Sequence, residues 1–296
     1  KKEVVCVEDA VIRDYISFLF DGYLKRKHAG TLYNVDSIIP QKIIEAYYQS
    51  VKNPQFKAIY GNFKQKYLYN ESRIDLTLSK HEREGLAAAY DYVENYDFAT
   101  KDFNVYIEAM RIHQLLYSKC LSKEFGGSLR QDDAYLLNTD IQVPSAAEAR
   151  AYFQSYLDKT NPERQLPIVD TENMITIFNY INACIYVTTE LIRYQPFSDG
   201  NKRTFRTLLN LMFKKYNLPP VYIKINERKE YKDALLKAMS GKKYVDLSQF
   251  YYYKICDSIY DLDVLPDIEA AKAARKEEKL ALSLKLKDTK KSDDSE

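Results

Sequence analysis

The stretch "NMITIFNYINACIYVTTELIRY", residues 173–194, constrains the fold more than any other. It is apolar almost throughout, so as a helix it has no broad polar face to turn to water and belongs at the centre of a packed body. The neighbouring sequence supplies partners of the same kind. "AVIRDYISFLFDGYL" and, after its proline, "SIIPQKIIEAYYQSV" repeat apolar residues at intervals of three and four. "SKHEREGLAAAYDYVENY" opens on Ser79, an N-cap residue, and carries charge through its first turn. "NVYIEAMRIHQLLYSKCL" sets Ile107, Met110 and Leu115 near one face. "SAAEARAYFQSYLDKTNPE" pairs Ser145 with Glu148 in a capping box. Beyond "PPVYIKI", read as a short extended segment, helices run from about Glu227 to Asp261. The fold class is mostly α.

One interval departs from helical periodicity. "FGGSLRQDDAYLLNTDIQVPSAAEA" holds a Gly-Gly pair, an Asn-Thr-Asp turn signal and short extended runs ending at Pro144. It reads as a β-hairpin flap over 127–144, projecting from the helical body. The final "IEAAKAARKEEKLALSLKLKDTKKSDDSE" loses aromatic residues and gains charge, which fits an exposed helix fraying into a polar tail. The chain thus divides into an N-terminal helical region (1–98), a core (99–262) and a charged helix with tail (263–296).

Composition narrows the partners. Lys plus Arg number 44 against 42 Asp plus Glu, a net charge of +2 without a basic stripe, so no nucleic-acid partner is expected. Cys6, Cys120, Cys184 and Cys256 are far apart, as are His28, His81 and His113, and neither set has zinc-site or disulfide spacing. No apolar run approaches the ~20 residues of a membrane span. Glu8, Asp9, Arg13 and Asp14 interrupt the only apolar stretch that could pass for a signal peptide. The expectation is a protein without a membrane partner in a reducing, bacterial-type cytoplasm, with secretion as an effector the alternative. Nothing in the sequence sets an oligomeric state.

The chemistry concentrates in "YQPFSDGNKRTFRTLLNLMF", residues 194–213. Gly200 and Asn201 precede a helix starting near Lys202, whose first turn offers unpaired N–H groups and partial positive charge. Glycine at that point lets a phosphate approach the backbone. Lys202, Arg203 and Arg206 add formal charge, and Asp199 beside an anion site makes sense if Mg²⁺ bridges it to phosphate. From spacing alone, a capped helix with surface cations is the preferred reading.

"QPFSDGNKRTFR" resembles the signature of the Fic (Fido, Fic/Doc) family, H-P-F-x-[D/E]-G-N-[G/K]-R-x-x-R, with one mismatch at its first residue. The preceding apolar helix, "GGSLR" ahead of the flap and "LPPVYIKINERKEYKDAL" downstream are also similar to the family's layout, so the resemblance covers roughly 100–240. It implies a Fic-like helical bundle with a β-hairpin flap beside the nucleotide site. It also implies an enzyme that binds ATP–Mg²⁺ and transfers AMP to a protein hydroxyl. By motif position Phe197 would anchor the loop, Asp199 would hold Mg²⁺, and Gly200 and Asn201 would supply the anion hole. Arg203 and Arg206 would contact the β- and γ-phosphates, and Lys202 would stand beside them. The flap near 135–143 would hold the protein target by strand addition. Tyr231 is a candidate for an adenine-side contact, with a packing role equally open.

Two departures alter the expectation. Gln195 stands where the family has its general-base His, and a carboxamide has no basic lone pair near neutral pH. General-base catalysis contributes ~10²–10⁴-fold, so an impaired transferase is expected. His113 as a substitute base is disfavoured against a satisfied structural histidine. Lys202 occupies a position where many AMP-transferring members have Gly and the Doc-type kinase branch has Lys.

The segment "NESRIDLTLSKHEREGL" resembles the surroundings of the family's inhibitory helix. In that register Glu71 takes the Ser position, Asp75 the Glu position and Leu76 the small residue's. An Asp75–Arg206 contact follows from the resemblance, whereas a surface carboxylate on a helix is the expected outcome. The rival functions are an inactive nucleotide- or peptide-binding module, a Doc-like kinase, and a hydrolase that removes AMP.

Overall fold

The computed structural model describes residues 38–51, 63–75, 77–136, 139–241 and 243–261. The first helical segment read from sequence, the tail over 263–296 and Leu76 lie outside these. Two compact units are present, one of residues 62–258 and one of 1–61 with 259–296. In the second unit, α1 (Ile38–Val51) carries Pro40 in its first turn, where a missing N–H costs nothing. Ile43, Ile44, Tyr47 and Tyr48 form its buried stripe.

The larger unit is helical: α2 (Phe63–Glu71), α3 (Lys80–Glu94), α4 (Val105–Tyr117), α5 (Ala146–Gln154), α6 (Met174–Tyr194), α7 (Asn201–Lys214), α8 (Arg228–Gly241) and α9 (Val245–Asp261, inside this unit as far as Ser258). Helix α7 packs against α3, α4 and α6, while α6 also meets α5 and α8. The two central helices carry the core. From α6 come Ile177, Tyr180, Ile181, Cys184, Ile185, Leu191 and Ile192, and from α7 Phe205, Leu208, Leu209, Leu211, Met212 and Phe213. Each buried aliphatic side chain contributes roughly 1.5–3 kcal/mol. Helix α6 is also long and apolar enough to cross a membrane, contrary to the expectation that no run reaches that length, but 61% of its apolar window is buried inside the protein.

Capping defines the helix starts. Ser79 and Ser145 close capping boxes with Glu82 and Glu148, and Asn104 and Asn173 accept from the first-turn N–H groups of α4 and α6. Helices α3 and α4 touch where Gly85 faces Leu116, since a Cβ at Gly85 would fall 2.0 Å from the Leu116 carbonyl oxygen. The register of α4 differs from expectation. Its buried face is Val105, Glu108, Ala109, Ile112, His113 and Leu116, and Ile107 is exposed. Two polar residues sit on that face because they are satisfied there: Glu108 accepts from Tyr92 and Tyr96 hydroxyls at 2.6 and 2.8 Å.

The expected β-hairpin is not formed among the described residues of 127–144. They form no strand, and the bridge here joins Leu129 to Phe197 instead. A two-stranded hairpin without a covered face is marginal in water, and Tyr135 is exposed. "PPVYIKI" likewise forms no strand. The buried Asn210 amide donates to Val221 O at 2.9 Å and accepts from Val221 N at 2.8 Å, supplying what a neighbouring strand would have supplied.

Candidate nucleotide site

The site grows from the turn between α6 and α7. Helix α6 ends at Gln195, which takes the left-handed conformation (φ 48, ψ 60) and bonds its N–H to Leu191 O at 3.1 Å. A non-glycine residue there is uncommon and carries strain. The carboxamide offsets it: Nε2 donates to Ile192 O, and Oε1 accepts from Asn201 Nδ2 at 3.0 Å. Asn201 in turn clasps Phe197, donating to its O at 2.8 Å and accepting from its N at 3.0 Å. Gly200 closes the turn at φ 73, and a Cβ there would stand 3.1 Å from the Tyr117 hydroxyl, so both conformation and space call for glycine. The ladder of α7 begins with Thr204 N–H to Gly200 O at 2.9 Å, so the N–H groups of residues 201–203 form the free first turn.

His113 holds this turn from below. Gly127 N–H donates to its Nδ1 at 2.9 Å, which places the proton on Nε2, and Nε2 donates to Asp199 O at 3.0 Å. Its ring stacks on Phe197 with centroids 3.8 Å apart and planes at 7°. Burial pulls its pKa down to about 4. Both nitrogens are engaged with backbone, so His113 is the structural histidine expected and has no lone pair free to serve as base.

Each cation of the motif faces carboxylates. Arg203 bonds Glu82 Oε1 at 3.2 Å and Asp199 Oδ2 at 3.3 Å. Glu82 is thus both the capping-box residue of α3 and a partner of the motif. Arg206 is 5% exposed and clamped by Glu71, with Nε at 2.8 and 3.1 Å from its two oxygens and Nη2 on Oε1 as well. Arg206 Nη2 also donates to Asp75 Oδ2 at 2.5 Å, and Lys202 Nζ lies 3.7 Å from Asp75 Oδ1. Burial pushes the Glu71 carboxyl up, against the pull of Arg206. At Asp75 burial also pushes upward, but Arg206 and Lys202 outweigh it and the carboxyl titrates below its usual range.

The expected free surface carboxylate at Asp75 is therefore corrected. Helix α2 stops at Glu71, and residues 72–75 turn so that Asp75 falls beside the same guanidinium. Arg206 Nη1 is buried without a partner, leaving the guanidinium with a donor to spare.

Residues 102–213 match the Fic/DOC family profile. The chain carries a Fic-family domain. A "Protein adenylyltransferase Fic" from Aedes aegypti is 26% identical over 157 residues, which are 53% of this chain and 29% of that protein, so the chain spans less than a third of that relative's length. In architecture the chain is similar to a Fic-1 fragment from C. elegans (TM-score 0.58, 16% identity, covering 87% of this chain and 77% of that one). It is also similar to a Fic-domain-containing signaling protein from Bacteroides thetaiotaomicron (TM-score 0.60, 14% identity, covering 75% and 94%). At those identities the likeness is one of fold.

Within this Fic domain the motif residues Gln195, Phe197, Asp199, Gly200, Asn201, Lys202, Arg203 and Arg206 gather around one turn and the first two turns of α7. Tyr231 lies on α8, 3% exposed, packed against Phe250 and Tyr251 with its ring 5.7 Å from Arg206 Cζ. Its surroundings are those of a packing tyrosine behind Arg206. Four contributors were not read from sequence. Glu82, Tyr117 (hydroxyl to Asp199 Oδ2, 2.9 Å) and Arg130 carried no assigned role, and Glu71 was placed in register but not as a ligand of Arg206. The capping-box spacing from Ser79 was the one available signal for Glu82.

No cluster of three or more metal-ligating side chains occurs among the described residues. The motif's own carboxylate is Asp199, whose side chain is 76% exposed. That donor fits Mg²⁺, which takes one or two carboxylates and completes its shell with water and phosphate oxygens. It does not fit a structural zinc site.

Proposed function

We propose that this Fic domain binds ATP–Mg²⁺ and belongs to the adenylyltransferases that modify protein hydroxyls, with transfer impaired at Gln195. The observation carrying this reading is the turn itself: Gly200 at positive φ opening the free first turn of α7, with Asp199, Lys202, Arg203 and Arg206 around it. The name of the Aedes aegypti relative supports the chemistry. Gly200 and the N–H groups of 201–203 would receive phosphate oxygens, Arg203 and Arg206 would balance their charge, and Asp199 would hold Mg²⁺, which supplies charge neutralisation and fixes phosphate geometry. A cavity of about 440 Å³ between Thr139–Gln142 of the flap, Arg193, and Leu236, Met239 and Ser240 of α8 would be the place for the base. Segment 135–143, whose described residues form no strand, would receive the target by strand addition.

Gln195 cannot take a proton from the acceptor hydroxyl, and its amide is committed to Ile192 and Asn201. The same commitment favours, as second reading, a module that binds nucleotide without turnover. Incubation with ATP labelled at the α- or γ-phosphate, using this chain and Gln195→His, tests the proposal. Label from the α position on protein in the His form supports the transferase reading. Label from the γ position supports a kinase in which Lys202 has changed which phosphate reacts. ATP binding without label in either form supports the second reading, and no ATP binding even after Glu71→Gln and Asp75→Asn free Arg206 contradicts both.

A further inference from the structure

Arg130 lies at the entrance to the flap and takes no part in the phosphate chemistry, yet it is only 2% exposed. Its backbone N–H donates to Pro196 O at 2.9 Å. Its guanidinium reaches four backbone carbonyls from three places in the chain. Nε donates to Gln195 O at 2.6 Å, Nη1 to Asp132 O at 2.7 Å, and Nη2 to Pro144 O at 2.5 Å and to Tyr194 O at 3.4 Å. The carboxylate beside it, Asp133, stands 3.9 Å from Nη1, so carbonyl dipoles rather than an ion pair hold this buried charge. Tyr194 and Gln195 supply the last carbonyls of α6, which a helix end leaves without intrahelical donors. Asp132 and Pro144 bracket the flap. Only a planar fork of five donors can serve all of these acceptors at once, and an ammonium cannot.

We propose that Arg130 is the positioning residue that fixes both ends of the flap to the 194–197 turn, so that flap and motif move as one body. In functional terms it would set the target segment in register with the phosphate site. That consequence rests on the transferase reading, whereas the mechanical coupling does not.

The test is amide hydrogen exchange on the full chain without nucleotide, for the parent, Arg130→Ala, Arg130→Lys and the control Tyr135→Ala. The reporters are Gln195 and Phe197 in the turn and Ala146 after the flap, whose N–H is held by Asp133 at 3.1 Å. Both sets should exchange faster by a common factor, on the order of tenfold or more, in both Arg130 variants and in neither case for Tyr135→Ala. Added ethylguanidinium should restore protection at both sets in Arg130→Ala, and ethylammonium at neither. Acceleration at one set alone, or rescue by either cation alike, would overturn the proposal. If the variants do not fold, native-state exchange of the parent in mild denaturant decides. The two sets should share one opening free energy and one denaturant slope, and different slopes would contradict the coupling. Because no ATP is present, failure here leaves the transferase reading standing, and failure of ATP binding leaves the coupling standing.

Discussion

Among single residues, two side chains in the site hold its turn together. His113 gives Nδ1 to Gly127 and Nε2 to Asp199, and its pKa of about 4 lies below the unfolded value near 6.5. The folded state binds the proton less readily than the unfolded chain, so this stability is fully present above about pH 6.5 and is lost as pH falls toward 4, by on the order of 3 kcal/mol. Denaturant titrations at several pH values should show that slope, and His113→Gln should flatten it; an unchanged slope would remove His113 as its source. Gln195 holds a left-handed turn with both ends of its amide. Gln195→His keeps a residue type that tolerates positive φ but gives up the bonds to Ile192 and Asn201, at a cost of about 1 kcal/mol. A small drop in Tm should accompany any transfer activity gained, and a rise in Tm would speak against the bracing role.

At the scale of elements, helix type was legible wherever a stripe, a cap or a run of apolar residues specified it. The capping boxes at Ser79 and Ser145 and the buried course of α6 are instances. What escaped were faces chosen by polar partners. Counting apolar residues on α4 favours Ile107, but the face that packs includes Glu108 and His113, each satisfied by groups from other segments. Helix α2 has almost no amphipathic pattern, so nothing local marks Glu71 as buried; its partner Arg206 is 135 positions away. The flap failed for a related reason, since turn chemistry does not supply a neighbour to pair with. Element packing also sets a test of the α3–α4 contact. Gly85→Ala would drive a methyl into the Leu116 carbonyl and force the helices apart, costing roughly 1–3 kcal/mol in equilibrium denaturation. A neutral result would contradict so close an approach of the two helices.

Across the whole molecule, the Fic signature was readable because a turn, a helix N-terminus and three cations share one short stretch. Its state was not, because the groups that set it come from elsewhere. Glu71 and Asp75 bring two carboxylates to Arg206, and Glu82 brings one to Arg203, so the cations that a phosphate would meet are already matched. On the proposed reading, the phosphate site is held shut by these carboxylates from its own N-terminal side. Removing one partner from a buried pair is destabilising, so Glu71→Gln should lower Tm while making Arg206 available to ligand. The direct measurement is calorimetric titration of MgATP into the parent chain and into the double variant Glu71→Gln, Asp75→Asn. Affinity on the order of tenfold or more higher is expected in the double variant. Equal or weaker binding there would contradict that reading.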